Sequence, residues 1–160
     1  MGIKFRLIVM NFLQYASWGS WLISLGAYLG GGLDFTGLQI GSFFATMGVA
    51  SLFMPAVMGI IADRWIPAQK LLGICHLVSG GFLIAAASQT AYGPLYSCML
   101  LSVMFYMPTI ALSNSVAYNA LDLARLDTVK HFPPIRVWGT VGFIAAMWFV
   151  DLTHIGGVQI

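Results

Sequence analysis

Hydrophobic positions in this chain come in long unbroken runs rather than in alternation. Five such runs lie near residues 7–30, 39–61, 71–89, 94–120 and 134–152. Each is long enough to cross a bilayer as a helix, for which about 20 apolar residues are needed. The connections are short, at residues 31–37, 62–70, 90–93 and 121–133, so successive helices are expected to run up and down as packed neighbours. A transmembrane β-barrel is excluded, because its strands would alternate between lipid-facing and lumen-facing residues. The expected fold class is an all-α integral membrane protein of about five transmembrane helices.

Composition strengthens that expectation. Hydrophobic residues make up 59% and charged residues 8%, against about 25% charged in an ordinary soluble domain. Such a chain cannot dress itself in a water-compatible surface, and the lipid bilayer is its expected partner. The acidic residues are all aspartates (Asp34, Asp63, Asp122, Asp127, Asp151), and every one falls in a connection or at the end of a run.

The basic residues set the orientation. Lys4 and Arg6 precede the first run, Arg64 and Lys70 lie between the second and third, and Arg125, Lys130 and Arg136 lie between the fourth and fifth or at the entrance to the fifth. All share one side of the membrane, and the opposite connections carry none. The positive-inside rule then places the N-terminus in the cytoplasm and the end of the fifth crossing outside. Lys4 and Arg6 before an apolar run superficially resemble a secretory signal. The run is too long and too rich in tryptophan for one, and reads as a retained span. Cys75 and Cys98 fall inside spans and read as small buried hydrophobes; no metal-ligand spacing surrounds them, and no cofactor is expected.

Polar residues within the runs are the candidate chemistry, since each must find a partner or water. In the first span Asn11, Gln14, Trp18 and Trp21 are spaced three or four apart and share one stripe. The tryptophans lie too deep for an interfacial belt, so Gln14, Trp18 and Trp21 are read as cavity lining, against a packing seam glued by amides. In the fourth span Asn114 and Tyr118, at i and i+4, are the second cavity candidates. Span two is rich in small residues and carries Pro55, expected to bend it. His76, alone in span three, reads as a packing residue rather than a proton carrier.

The fifth span carries the sharpest pattern. Pro133 and Pro134 are expected to occupy its first turn, where a missing N–H costs little. Arg136, Thr140 and Phe143 then fall at i, i+4 and i+7 on one face. A cation, a hydroxyl and an aromatic ring on one stripe suit a polar, planar, uncharged small molecule. The alternative is that Arg136 snorkels to headgroups, Thr140 bonds back to its own helix and Phe143 faces lipid. A helix starting at Pro133 also leaves Arg136 shallow, whereas carrier sites lie near the midplane.

The end of span two, Gly59-Ile-Ile-Ala-Asp63-Arg64, resembles the loop between helices two and three of the major facilitator superfamily. There the glycine permits close helix packing and the acidic residue helps latch a cytoplasmic gate, so Gly59, Asp63 and Arg64 are the implied gating motif. The glycine and basic pair that follow in that family are missing here. Phe12-Leu-Gln-Tyr-Ala-Ser-Trp-Gly-Ser-Trp-Leu22, Phe53-Met-Pro-Ala56, Ile74-Cys-His76, Tyr106-Met-Pro-Thr109 and Phe132-Pro-Pro-Ile-Arg-Val-Trp-Gly-Thr-Val-Gly-Phe-Ile144 narrow this further. Together they resemble the bacterial nucleoside:proton symporters of that superfamily.

The resemblance implies a twelve-helix inner-membrane carrier of two six-helix halves, taking up nucleosides with protons by alternating access. It also implies that Arg136, Thr140 and Phe143 bind substrate. Five spans are one short of the first half, so the chain is expected to be the partial N-terminal portion of such a carrier. With no aspartate at mid-membrane depth, the proton-coupling group is expected elsewhere in the carrier. A carrier of another small polar solute, such as a sugar, is the alternative. A membrane-embedded enzyme is disfavoured, because no nucleophile–base pair or metal set lies in the spans. A structural membrane subunit would not need the Arg136 stripe, and nothing suggests nucleic acid as a partner.

Overall fold

The computed structural model of the chain describes residues 2–153, which form α1 (Ile3–Ala27), a π-helical turn (Tyr28–Gly32), α2 (Gly37–Arg64), α3 (Ala68–Ala87), α4 (Tyr92–Leu123) and α5 (Thr128–Thr153). Among the described residues α2, α3, α4 and α5 are long and apolar enough to cross a membrane. The helix α1 is 25 residues long but is not among them. Its amides and hydroxyls (Asn11, Gln14, Ser17, Ser20), with Lys4 and Arg6 at its start, dilute a run that length alone marks as a span.

One boundary differs in a way that matters. α5 begins at Thr128, not at the prolines, so Pro133 and Pro134 lie inside the helix. The start is fixed by Asp127, whose Oδ1 accepts from the backbone N–H of Val129 at 2.9 Å and of Lys130 at 3.4 Å. That is N-capping of the first turn by a carboxylate. The carbonyls that the prolines leave without helical donors belong to Val129 and Lys130, both exposed residues near the helix start. There water can replace the lost bonds. Arg136 therefore sits about 12 Å along the helix axis from Thr128, at about 1.5 Å per residue, two turns inside α5 rather than in its first turn.

The chain divides into two compact units, one of Met1–Asp34 with Ser115–Ile160, the other of Phe35–Asn114. In the first, α1 packs along α5, with the last turns of α4 alongside. Glycines allow the close approach. A Cβ at Gly142 would collide with the backbone of Phe12, and one at Gly19 with the backbone of Phe143. Each helix thus presents bare backbone to the other, as small residues do in membrane interfaces. Leu7, Ala117, Leu121 and Ile135 form a buried cluster at one end of this unit, and Tyr118 lies against Phe132 at 4.3 Å between ring centroids.

The turn between α4 and α5 follows a Schellman pattern. The N–H of Leu126 bonds the carbonyl of Leu121, and that of Arg125 the carbonyl of Asp122. Arg125 occupies the left-handed position at φ 54° that this motif usually gives to glycine.

The second unit holds α2, α3 and the N-terminal part of α4. α2 starts with a capping box, in which Thr36 and Gln39 each bond the other's backbone N–H. It runs past Pro55 without interruption. Phe35, Phe43, Tyr92 and Tyr96 form an aromatic cluster with centroids 5.5–6.1 Å apart. Ser42 and Tyr92 share a hydroxyl–hydroxyl bond of 2.9 Å. Deeper in the unit the Ser102 hydroxyl donates to the Ser79 carbonyl at 2.9 Å, with the two hydroxyls 3.1 Å apart. His76 lies edge-on to Tyr106 at 5.8 Å.

Candidate functional site

The site is built on the α1–α5 pair. The glycines Gly139 and Gly142 line the α5 face turned to α1, and Arg136 lies at the margin of that face. Its Nη2 donates to the Tyr15 hydroxyl at 2.6 Å. Its Cζ also stands 4.0 Å from the centroid of the same ring. The guanidinium is therefore held both by a charge-assisted hydrogen bond and by a cation–π contact. Its Nη1 lies over Gly139, one turn further along α5, rather than toward the start of the helix.

Phe143 follows two turns along. It is half-buried and meets Trp18 edge-on, 6.1 Å between centroids at 82°. Trp18 is in turn 6.4 Å from Tyr15. Tyr15, Trp18 and Phe143 thus make a continuous aromatic wall beside the guanidinium, with Phe143 held against Trp18 on α1. Thr140 is exposed and lines an open groove of about 440 Å³ with Phe132, Pro133, Arg136 and Val137. Arg136 is the residue common to the wall and the groove. A fixed cation, a hydroxyl and aromatic faces can hold a small polar molecule with a planar ring, by hydrogen bonding and stacking.

The remaining sequence candidates are placed as follows. Gln14 is buried on α1, with 3% exposed, and Trp21 is half-buried on the same helix. Asn11 is completely buried and donates to the Leu7 carbonyl at 3.0 Å. Tyr118, near the end of α4, is 46% exposed and spends one ring face on Phe132. Asn114 belongs to the other unit, half-buried, with no hydrogen-bond partner for its Oδ1 among the described residues. Asp63 and Arg64 close α2 as exposed residues. A Cβ at Gly59 would meet nothing within 4 Å, so no close approach within the described residues depends on that glycine.

Sequence reasoning passed over Tyr15, Gly19, Gly139 and Gly142. The signal was available. Tyr15 is four residues after Asn11 and three before Trp18, on the polar stripe already noted, and Gly19 follows it by four. Gly139 and Gly142 interrupt a run of bulky residues at a spacing that places both on one face.

Comparison with known proteins matches residues 1–160 to the family described as nucleoside H+ symporter. The chain is 53% identical to xanthosine permease of Escherichia coli (strain K12) over 155 residues, covering 97% of this chain and 37% of that protein. It is 43% identical to the nucleoside permease NupG of the same organism over 153 residues, covering 96% of this chain and 37% of that one. The crystal structure of the nucleoside transporter NupG superposes with a TM-score of 0.93 at 42% identity, covering 98% of this chain and 38% of that chain. The chain thus spans little more than a third of the length of these relatives.

Proposed function

This chain belongs to the nucleoside H+ symporter family, and we propose that it supplies the N-terminal wall of a carrier that moves nucleosides with protons by alternating access. The family is one of transporters, all-helical and membrane-embedded, and the folded chain resembles the first part of a solved nucleoside transporter. The observation that carries the reading to particular residues is the Arg136–Tyr15 contact. A guanidinium in a membrane helix is held by an aromatic hydroxyl and ring, next to Thr140 and the Trp18–Phe143 pair.

A neutral ligand suits that environment. Its carbonyl or hydroxyl oxygens accept from the guanidinium and bond the Thr140 hydroxyl, while a flat base lies against the aromatic wall. Gln14, Trp21, Asn114 and Tyr118 are the further candidates for cavity lining. Gly59, Asp63 and Arg64 are proposed to serve the cytoplasmic gate, by motif rather than by any packing of Gly59. In this reading the carrier lies in the bacterial inner membrane with the N-terminus of this chain in the cytoplasm, where all the Lys and Arg residues then lie on the cytoplasmic side or, as with Arg136, open toward it.

The test uses a carrier of the relatives' full length that begins with this sequence. Labelled uridine, xanthosine and glucose uptake is measured per molecule at the cell surface, for wild type and for Arg136→Lys. Lysine keeps the charge but not the planar fork of donors. Nucleoside uptake should fall tenfold or more with surface amount unchanged, equivalent to about 1.4 kcal/mol or greater. Uptake of glucose but not of nucleosides would replace the nucleoside reading with a sugar one. Wild-type nucleoside uptake by Arg136→Lys would remove the arginine from the site.

A further inference from the structure

Tyr15 is 6% exposed, and its ring and hydroxyl are both engaged by the same guanidinium. The partner is 121 positions away in sequence, so this contact is made by the fold and not by one helix's own geometry. Gly139 makes room for it. A Cβ at that position would stand 2.6 Å from Tyr15 Cδ2 and 2.8 Å from Arg136 Nη1, inside contact distance of both partners. No side chain other than hydrogen leaves the tyrosine and the arginine where they are.

We propose that Tyr15, in the space left by Gly139, is the positioning residue that fixes the Arg136 guanidinium for substrate. The inference rests on the nucleoside-carrier reading of the same site. An arginine side chain has many rotamers, and one reaching into a cavity from a single helix gains little from any one of them. The tyrosine ring sets the position of the guanidinium carbon, and the hydroxyl takes one N–H and so sets the rotation of the plane. The other donors of the fork remain free to meet a ligand on the groove side, where Thr140 stands.

The choice of partner has a chemical meaning. A carboxylate in place of Tyr15 would orient the arginine equally well, but would also neutralise it and occupy the bidentate face of the fork. A phenol holds the group while leaving its full charge and most of its donors in place. This arrangement favours a ligand that is itself neutral and offers acceptor oxygens.

Tyr15→Phe tests the proposal in the full-length carrier, because it keeps the ring and deletes only the acceptor. The half-saturation concentration for uridine or xanthosine uptake should rise about fivefold or more, while surface amount and maximal rate stay near wild type. In the double variant Arg136→Lys with Tyr15→Phe, the second change should add nothing to the first, since the group it positions is gone. A wild-type half-saturation value in Tyr15→Phe, alongside impaired Arg136→Lys, overturns the positioning role and leaves the binding reading standing. A loss of surface amount with unchanged half-saturation also overturns it, because the tyrosine would then only support the fold. Wild-type uptake in Arg136→Lys would instead sink the reading on which both rest. Tyr15→Leu, which removes the ring as well, should raise half-saturation further than Tyr15→Phe.

Discussion

The two units of this chain handle polar groups inside the membrane in opposite ways. In the unit holding α2, α3 and the first part of α4, two interhelical hydrogen-bonded pairs join hydroxyls to each other or to a carbonyl: Ser42 with Tyr92, and Ser102 with Ser79. Neither pair is charged, and the Ser79–Ser102 pair is buried. In the unit holding α1 and α5, an interhelical bond is made by a permanent cation, and the residue that carries it also lines an open groove. Hydroxyl pairs close on themselves and ask nothing of a ligand. The guanidinium has one N–H bonded to the Tyr15 hydroxyl among the described residues, and under the proposed function its other donors meet the substrate. Charge in a membrane helix is costly, and its presence is best understood where something outside the chain will meet it.

Packing differs in the same sense. α1 and α5 meet through glycine, backbone against backbone, at Gly19 and Gly142, whereas the second unit fills its interior with side chains, aliphatic ones such as Leu71, Met99 and Val103 beside the ring of Phe43 and the hydroxyls of Ser79 and Ser102. Bare backbone contacts have no side chain to adjust.

The largest effect should follow from breaking that contact. Gly142→Leu sets a branched side chain where a single Cβ already collides with the Phe12 backbone, and backbone cannot turn aside as a side chain can. Overpacking of a close-packed interface costs roughly 1–3 kcal/mol and occasionally more. In the full-length carrier, the folded fraction recovered in detergent should drop severalfold, and uptake with it. A bulky substitution at Gly41, Gly48 or Gly73, where a Cβ would meet nothing within 4 Å among the described residues, gives the control. If Gly142→Leu were recovered as well as Gly48→Leu, the backbone contact would not be what joins α1 to α5.

How much of this was legible beforehand divides along the same line. The helices were readable, and α2 to α5 as spans, because an apolar run of helix length has few alternatives in a membrane. The Arg136, Thr140 and Phe143 stripe was readable because helical spacing alone places those residues together. The start of α5 was misjudged because proline is a stronger local signal than Asp127. The aspartate's capping of Val129 and Lys130 begins the helix before the prolines can. Tyr15 was legible as a member of a stripe but not as a partner of Arg136. No helical periodicity on α1 says which residue of a distant α5 will stand across from it, and that information lies in the glycines that set the register between the two helices.

A smaller effect distinguishes hydroxyl glue from site chemistry. Ser102→Ala deletes the donor to the Ser79 carbonyl in a region with no charge to orient. Polar bonds between membrane helices contribute about 0.6 kcal/mol on average and up to about 1.7. The midpoint of thermal unfolding should fall modestly, while the half-saturation concentration for nucleoside stays at the wild-type value. A raised half-saturation concentration with unchanged thermal stability would place the second unit's hydroxyls in the binding function, and the contrast between the units would fail.

The smallest effect tests whether the first unit also holds strain outside its site. Arg125 sits at φ 54°, in the left-handed region where a Cβ crowds the following carbonyl. Nothing polar at that position requires arginine, since the Schellman bonds are made by backbone N–H groups that any residue but proline supplies. Glycine would relieve the crowding but has more freedom to lose on folding, so the two contributions oppose each other. The net gain for Arg125→Gly should be small, about 0.5–1 kcal/mol, and should appear as a slightly higher unfolding midpoint in the full-length carrier. Arg125→Ala separates the charge from the conformation, because it removes the guanidinium and keeps the crowded Cβ. If alanine stabilised as much as glycine, the gain would come from deleting charge beside the basic Lys130. The left-handed turn would then carry no strain worth relieving. If glycine alone stabilised, the turn would be strained in its own right, unlike the capping box that starts α2, where Thr36 and Gln39 are bonded in extended and helical conformations natural to them.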